Sequence, residues 1–154
     1  MQGIKFKFKS RAKKAIERRK LIVEYANKDI LGLKTNENSD ILFNIFEKIE
    51  QGRENALKLL NFMSSDYYGR SYLLSEPVII SYLSQCLRQE KNDSSIRKNA
   101  LGTIQKFSLR RKPQIQMIEE DLISWIVSTL NQENSEISEY SLEYSTALLM
   151  NLSL

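Results

Sequence analysis

EPVIISYLSQCL, residues 76–87, and EEDLISWIVSTL, residues 119–130, are one apolar pattern written twice. Ile79 falls on Leu122, Ile80 on Ile123, Ser81 on Ser124, Tyr82 on Trp125, Leu83 on Ile126 and Leu87 on Leu130, all at an offset of 43. What precedes and follows these copies repeats as well. Ala56, Leu60 and Met63 recur as Ala100, Ile104 and Phe107, and again as Ser145, Leu149 and Leu152, at offsets of 44 and then 45. A small residue followed by apolar ones four and then three positions on marks one face of a helix, with close approach of a neighbour at the small position. Units of this length with two or three helices each are the armadillo and HEAT class, and such units cannot bury their apolar faces alone, so they stack. The pattern predicts an all-α fold, a right-handed armadillo/HEAT-type superhelix (α-solenoid) of about three units.

The units read as residues 39–65, 70–109 and 113–154, the first lacking its short helix. Pro77 and Pro113 support the boundaries, since proline is favoured in the first turn of a helix and disfavoured inside it. Asp66 to Arg70 (DYYGR), Gln89 to Asp93 and Gln132 to Ser135 read as polar connectors. Upstream, Ala12, Ala15, Ile16, Val23, Ala26 and Ile30 share helical spacing and predict a helix over residues 12–30. Asn27 to Ser39, with Gly32, reads as a loop. Ser39 with Asp40 is an N-cap for a helix running to about Gln51 and Gly52. This organisation divides the chain into a basic N-terminal helix or arm, residues 1–33, and the repeats, residues 39–154.

Composition narrows the chemistry. The 154 residues are 42% hydrophobic, enough for one ordinary globular domain. No stretch approaches the roughly 20 apolar residues of a membrane span. The basic start is not followed by the apolar core and cleavage site of a signal peptide, which predicts an intracellular protein. Cys86 is the single cysteine and the chain has no histidine, so an intramolecular disulfide, imidazole catalysis and the commonest metal ligand are all missing. Neither an enzyme nor a cofactor is expected. The net charge of +4 is uneven: residues 1–20 carry nine Lys or Arg against Glu17, a net +8, which leaves −4 for the rest.

The segments NALGTIQKFSLRRKPQIQMIEEDLISWIV, residues 99–127, and SLEYSTALLMNLSL, residues 141–154, resemble the armadillo region of a ciliary family. It is the LisH-domain-containing armadillo-repeat family of basal bodies, the armadillo repeat-containing protein nine family. The resemblance is strong over residues 94–154 and weak before residue 69. It implies a cytoplasmic and cytoskeletal location at the ciliary basal body and centriole, and a scaffolding role in cilium assembly and axonemal microtubule stability. It also implies partners among tubulin-binding ciliary proteins with TOG arrays. The family's LisH dimerisation motif and coiled-coil region have no counterpart in these residues, so self-association by that route is not expected. The apolar ALLMNLSL end, where the family continues into further helices, is that of a fragment, a truncated paralogue or a subunit whose end a partner covers.

The candidate sites are all binding surfaces. Lys5, Lys7, Lys9, Arg11, Lys13, Lys14, Arg18, Arg19 and Lys20 form a basic leader suited to a polyanion: nucleic acid, an anionic membrane or, through the resemblance, the acidic tails of tubulin. In armadillo solenoids the third helices line a groove in which an asparagine ladder clamps extended peptides; the matching positions here are Phe62, Lys106 and Asn151, only one of them asparagine. Arg110, Arg111 and Lys112 read as the end of a third helix, where cations complement the dipole, or as a basic edge of the groove. Lys106, Arg110, Arg111, Asn151 and Phe62 are therefore the partner-binding candidates. Glu119, Glu120 and Asp121 read as acids at a helix start rather than a catalytic or metal cluster. Tyr82 and Trp125, at one repeat position, read as core aromatics, while Tyr67, Tyr68, Tyr140 and Tyr144 lie in or beside polar segments and suit an interface. A rival reading, nucleic-acid binding by the basic arm, is disfavoured by the acidic repeat body.

Overall fold

The computed structural model describes residues 2–35, 50–90, 92–133 and 136–154, with the backbone alone for residues 2–12, 50 and 51. Among the described residues the chain is helical throughout: α1 (Gln2–Asn27), α2 (Glu50–Met63), α3 (Tyr67–Leu73), α4 (Val78–Gln89), α5 (Ser95–Phe107), α6 (Arg111–Glu119), α7 (Leu122–Gln132) and α8 (Glu139–Leu152). The fold is an armadillo-type α-solenoid. The long third helices α2, α5 and α8 lie side by side as one layer, with α5 in the middle; α4 packs on α5 and α7 on α8. The short helices α3 and α6 close each turn, α3 against α2 and α1, α6 against α4, α7 and α8.

The repeated apolar positions make this stack. Leu60, Met63, Ile79, Leu83, Leu87, Ala100, Ile104, Phe107, Leu122, Ile126 and Leu152 are all buried in one continuous core. Each large side chain so removed from water stabilises the fold by roughly 1.5–3 kcal/mol before entropy is counted. Tyr82 and Trp125 pack against that core as expected. Burial pushes the Cys86 thiol up to about 11, in keeping with a small packed hydrophobe.

Polar residues repeat too. Ser94 and Ser138 cap α5 and α8 by accepting from the N–H groups of Arg97 and Ser141. Arg53 of α2 pairs with Glu90 just beyond α4 at 2.9 Å. Forty-four residues on, Arg97 of α5 makes a two-pronged pair with Glu133, just beyond α7, at 2.8 and 2.6 Å. Each third helix is thereby tied to the second helix of the next unit. The Arg97 side chain is only 2% exposed, and its guanidinium lies 5.7 Å from the Trp125 ring.

Several boundaries differ from the sequence reading. The DYYGR segment is not a connector: Asp66 accepts from the N–H of Tyr68 at 2.8 Å and starts α3 there, so Tyr67 to Arg70 are helical. No break falls at Gln51 and Gly52, because α2 runs through both; the Ser39–Asp40 cap and residues 36–49 lie outside the described residues. α1 begins ten residues earlier than expected; of the predicted stripe Ala26 is buried, but Ile16 and Ile30 are exposed and Ile22, outside the stripe, is buried beside Ala26. Ile22, Ala26, Leu31 and Leu33 are buried, so the boundary drawn at residue 33 falls inside the body. Gly69 permits this docking, since a Cβ there would collide with the Met63 carbonyl and sit 2.8 Å from Ile22 Cγ2.

The turn after α1 is then held by polar contacts. Asp29 and Gly32 adopt positive φ of 48° and 65°. The Asp29 carboxylate accepts from the Tyr72 hydroxyl at 2.6 Å and from the Leu33 N–H at 2.8 Å. Burial raises the Asp29 carboxyl, but these hydrogen bonds with those of Lys34 and Thr35 leave it below its usual range.

Candidate protein-binding face

The faces of α2, α5 and α8 turned away from the core carry a polar and aromatic cluster. The Asn61 amide of α2 donates to Asn99 Oδ1 of α5 at 3.0 Å. Lys106, in the last turn of α5, donates to Asn61 Oδ1 and, at 3.4 Å, to the Asn61 carbonyl; its ammonium lies 5.9 Å from the Tyr144 ring. Tyr140 and Tyr144, one turn apart on α8, stack with ring centres 4.2 Å apart. Gly102 leaves the space in which the Tyr140 hydroxyl meets Asn61: a Cβ at that position would collide with the phenol oxygen. Asn61, Ser95, Lys98, Asn99 and Tyr140 line a shallow depression of about 300 Å³. Burial, with Arg70 and Arg18 in reach, brings the Lys106 ammonium down to about 8.

The predicted site residues are distributed unevenly. Lys106 belongs to this cluster. Asn151 donates to Ser108 Oγ at 2.8 Å, tying α8 to the turn after α5. Phe62 packs against the core. The Arg110–Lys112 run does not end a third helix: α5 stops at Phe107, Arg110 is the residue before α6, and Arg111 and Lys112 open α6, the end of the dipole that disfavours cations. Arg110 turns back to α3, its guanidinium 4.6 Å from the Tyr67 ring and donating to Ser71 Oγ at 2.8 Å. Arg111 points to Gln114 of its own helix instead.

In the leader, Lys13, Lys14, Arg18, Arg19 and Lys20 are exposed along α1, whereas the side chains of Lys5, Lys7, Lys9 and Arg11 lie outside the described residues. The acidic cluster is divided between two helices: Glu119 ends α6, Glu120 follows it and Asp121, at φ 56°, precedes α7. The Glu120 carboxylate accepts from Ser81 at 2.6 Å, across to α4. Among the described residues no grouping of acids and Cys86 could hold a metal ion, and no helix is long and apolar enough to cross a membrane.

Sequence reasoning missed Asn61, Asn99 and Arg70. Asn61 is the immediate neighbour of Phe62, the residue read at the ladder position. Asn99 was legible, because it stands 44 residues after Asn55, also asparagine.

The comparisons with known proteins bear on the same residues. The family description "LisH domain-containing protein ARMC9, ARM repeats" matches residues 117–154, the stretch from the end of α6 through α8. The ARMC9 protein of Xenopus tropicalis is 33% identical across the whole of this chain, and those of Danio rerio and Bos taurus are 37% and 36% identical over 90% of it.

The chain belongs to the ARMC9 family.

It spans about a fifth of the length of these curated ARMC9 relatives. No solved structure matches it. The layer of third helices is thus an ARMC9-family armadillo surface, and in the matched stretch Tyr140, Tyr144 and Asn151 supply its α8 edge.

Proposed function

We propose that this chain is a non-enzymatic protein-binding scaffold segment of the ciliary basal body and centriole, contributing to cilium assembly and axonemal microtubule stability. The observation that carries the binding reading is the continuous face of α2, α5 and α8, where Asn61, Asn99, Lys106, Tyr140 and Tyr144 converge over a shallow depression. Amides offer paired donors and acceptors to a peptide backbone, and stacked tyrosines offer large, stiff contact area. The one amine of that group, Lys106, is engaged as a donor to Asn61, and a convergence of amides, phenols and one ammonium suits recognition better than bond-making. Membership of the ARMC9 family supports the ciliary location, and with it partners among tubulin-binding proteins with TOG arrays.

The test is to express the tagged chain in a ciliated cell of its own source and image it against a basal-body marker, beside an Asn99→Arg variant that fills the depression. Punctate signal at basal bodies that becomes diffuse in the variant, with unchanged circular dichroism, supports the reading. Diffuse signal from the parent chain sinks the ciliary assignment.

A further inference from the structure

Five cations meet where the third helices end: Arg18 and Arg19 of α1, Arg70 of α3, Lys106 of α5 and Arg110 of the turn before α6. Lys106 stands within electrostatic reach of Arg70 on α3 and Arg18 on α1, and Arg70 within reach of Arg110. Arg19 completes the group beside Arg18. Among the described residues the carboxylate in reach is Asp66, and it is already engaged, capping α3 and lying 3.8 Å from Arg19. Three of the cations are held in place: Arg70 donates to the Ser64 carbonyl at 2.8 Å, Arg110 is stacked on Tyr67, and Lys106 is bonded to Asn61. Arg70 Nε is buried with no hydrogen-bond partner.

Like charges fixed this close raise one another's energy, and a solvated surface would let them splay apart. Here backbone and ring contacts prevent that for Arg70, Arg110 and Lys106, so among the described residues the rim is a preorganised positive strip with more cations than carboxylates. Tyr67, 66% exposed, stands open beside it. The opposite rim holds the acids: Glu54 beside Lys58, Glu90 with Arg53, Asp93 with Lys98 and Glu133 with Arg97.

We propose that this rim is the docking strip for an extended acidic segment of a partner protein, whose carboxylates pair in turn with Arg18, Lys106, Arg70 and Arg110. The inference rests on the protein-binding reading above and adds the partner's chemistry. The cations come from neighbouring helices, which pack about 8–10 Å apart, and acidic side chains two or three residues apart on an extended chain, rising about 3.3 Å per residue, match that spacing. Lys106 is recessed against Asn61 and Tyr144, where a narrow peptide reaches it and a flat bilayer does not. A nucleic-acid backbone would run its phosphates over the acidic opposite rim as well, and the repeat body as a whole repels it.

The probe is fluorescein-labelled dodecaglutamate, titrated with the full chain at low and at 0.15 M salt, with dodecaglutamine as control. The expected result is salt-sensitive binding of the glutamate peptide alone. Lys106→Gln with Arg70→Gln should raise Kd at least tenfold. Should that pair lower the melting temperature, Lys106→Gln with Arg18→Gln leaves the Arg70 bond to Ser64 intact and should raise Kd about fivefold. Lys28→Gln and Lys58→Gln together, exposed cations off the strip, should change it less than twofold.

Equal loss in that last variant, or tighter retention on phosphoinositide vesicles or on a 20-base-pair duplex than on dodecaglutamate, overturns the proposal. Glutamate binding through the strip with diffuse cellular signal would leave the strip standing and remove the ciliary role. Basal-body signal with glutamate binding unmoved by the strip variants would do the reverse.

Discussion

The two rims of the third-helix layer carry the same kinds of side chain and use them differently. At the N-terminal rim each arginine has its carboxylate: Arg53 meets Glu90, Arg97 meets Glu133, and the pairs recur at the repeat spacing because they join one unit to the next. At the C-terminal rim Arg18, Arg70, Lys106 and Arg110 converge, and among the described residues Asp66 is the carboxylate in reach. Neutralised cations in a solenoid hold its register. Cations that the fold gathers and leaves unmatched are free to meet something else.

Breaking the matched rim should have the largest effect on stability. Glu133→Gln strands the Arg97 guanidinium, whose side chain is 2% exposed, without its countercharge. Removing one partner of a buried pair costs about 3–5 kcal/mol, and thermal melting should show a fall on the order of 10 °C for a domain of this size. Arg97→Met should cost somewhat less, about 3 kcal/mol, because the remaining Glu133 is 24% exposed and regains water. Arg97→Met with Glu133→Leu should recover most of the loss. A double variant as unstable as either single one would mean that the pair does more than neutralise itself.

The next effect tests whether the unmatched rim depends on α1. Gly69→Ala places a methyl against the backbone carbonyl of Met63 at the end of α2 and against the Ile22 side chain of α1, so α3 must shift and loosen the seat of α1. The expected loss is about 2 kcal/mol, typical of overpacking, measured by urea denaturation. Because Arg18 travels with α1, glutamate-peptide binding should weaken in the same variant. Stability lost with binding intact would show that Arg18 is not part of the strip. Smaller still, Arg53→Ala should cost about 1 kcal/mol, since that pair is 23% and 16% exposed and water screens it. A loss as large as that at Glu133 would erase the distinction between the two copies.

The repeat positions were legible because burial leaves a periodic trace: Leu60, Ile104 and Phe107 read as core and are core. The short helix α3 was not, because DYYGR lacks any apolar period and its helix depends on one capping carboxylate at Asp66 and on packing against α1. The Arg110 run was misplaced for a related reason. Charge composition does not say which of two abutting helices a residue joins, and Ser108 to Arg110 is a three-residue turn with no glycine to announce it. The strip was illegible for a deeper reason, since Arg70 stands 52 residues after Arg18 and 36 before Lys106, and only the stacking of α1, α3 and α5 brings these together. Lys106 and Arg110 were in view as groove residues and Arg18 as a leader residue, but as two sites rather than one.

The smallest effect is a pH dependence that separates the rims without altering the fold. Among the described residues the groups around Lys106 are Arg18 from α1, Arg70 from α3, Asn61 from α2 and Tyr144 from α8, and none of them is a carboxylate. With its ammonium brought down to about 8, Lys106 goes from roughly nine-tenths charged at pH 7 to roughly one-tenth at pH 9. Its folded pKa lies below the unfolded one, so the charged form opposes folding below pH 8. That penalty fades as pH rises from 8 toward the ordinary lysine range, and stability there rises slightly. Binding of an acidic segment runs the other way, weakening severalfold between pH 7 and 9 as the strip loses one charge. Lys106→Arg should keep binding flat over that interval, because guanidinium does not titrate there. A wild-type profile as flat as the arginine variant's would mean that Lys106 spends its charge on Asn61 and Tyr144 and contributes none to the strip.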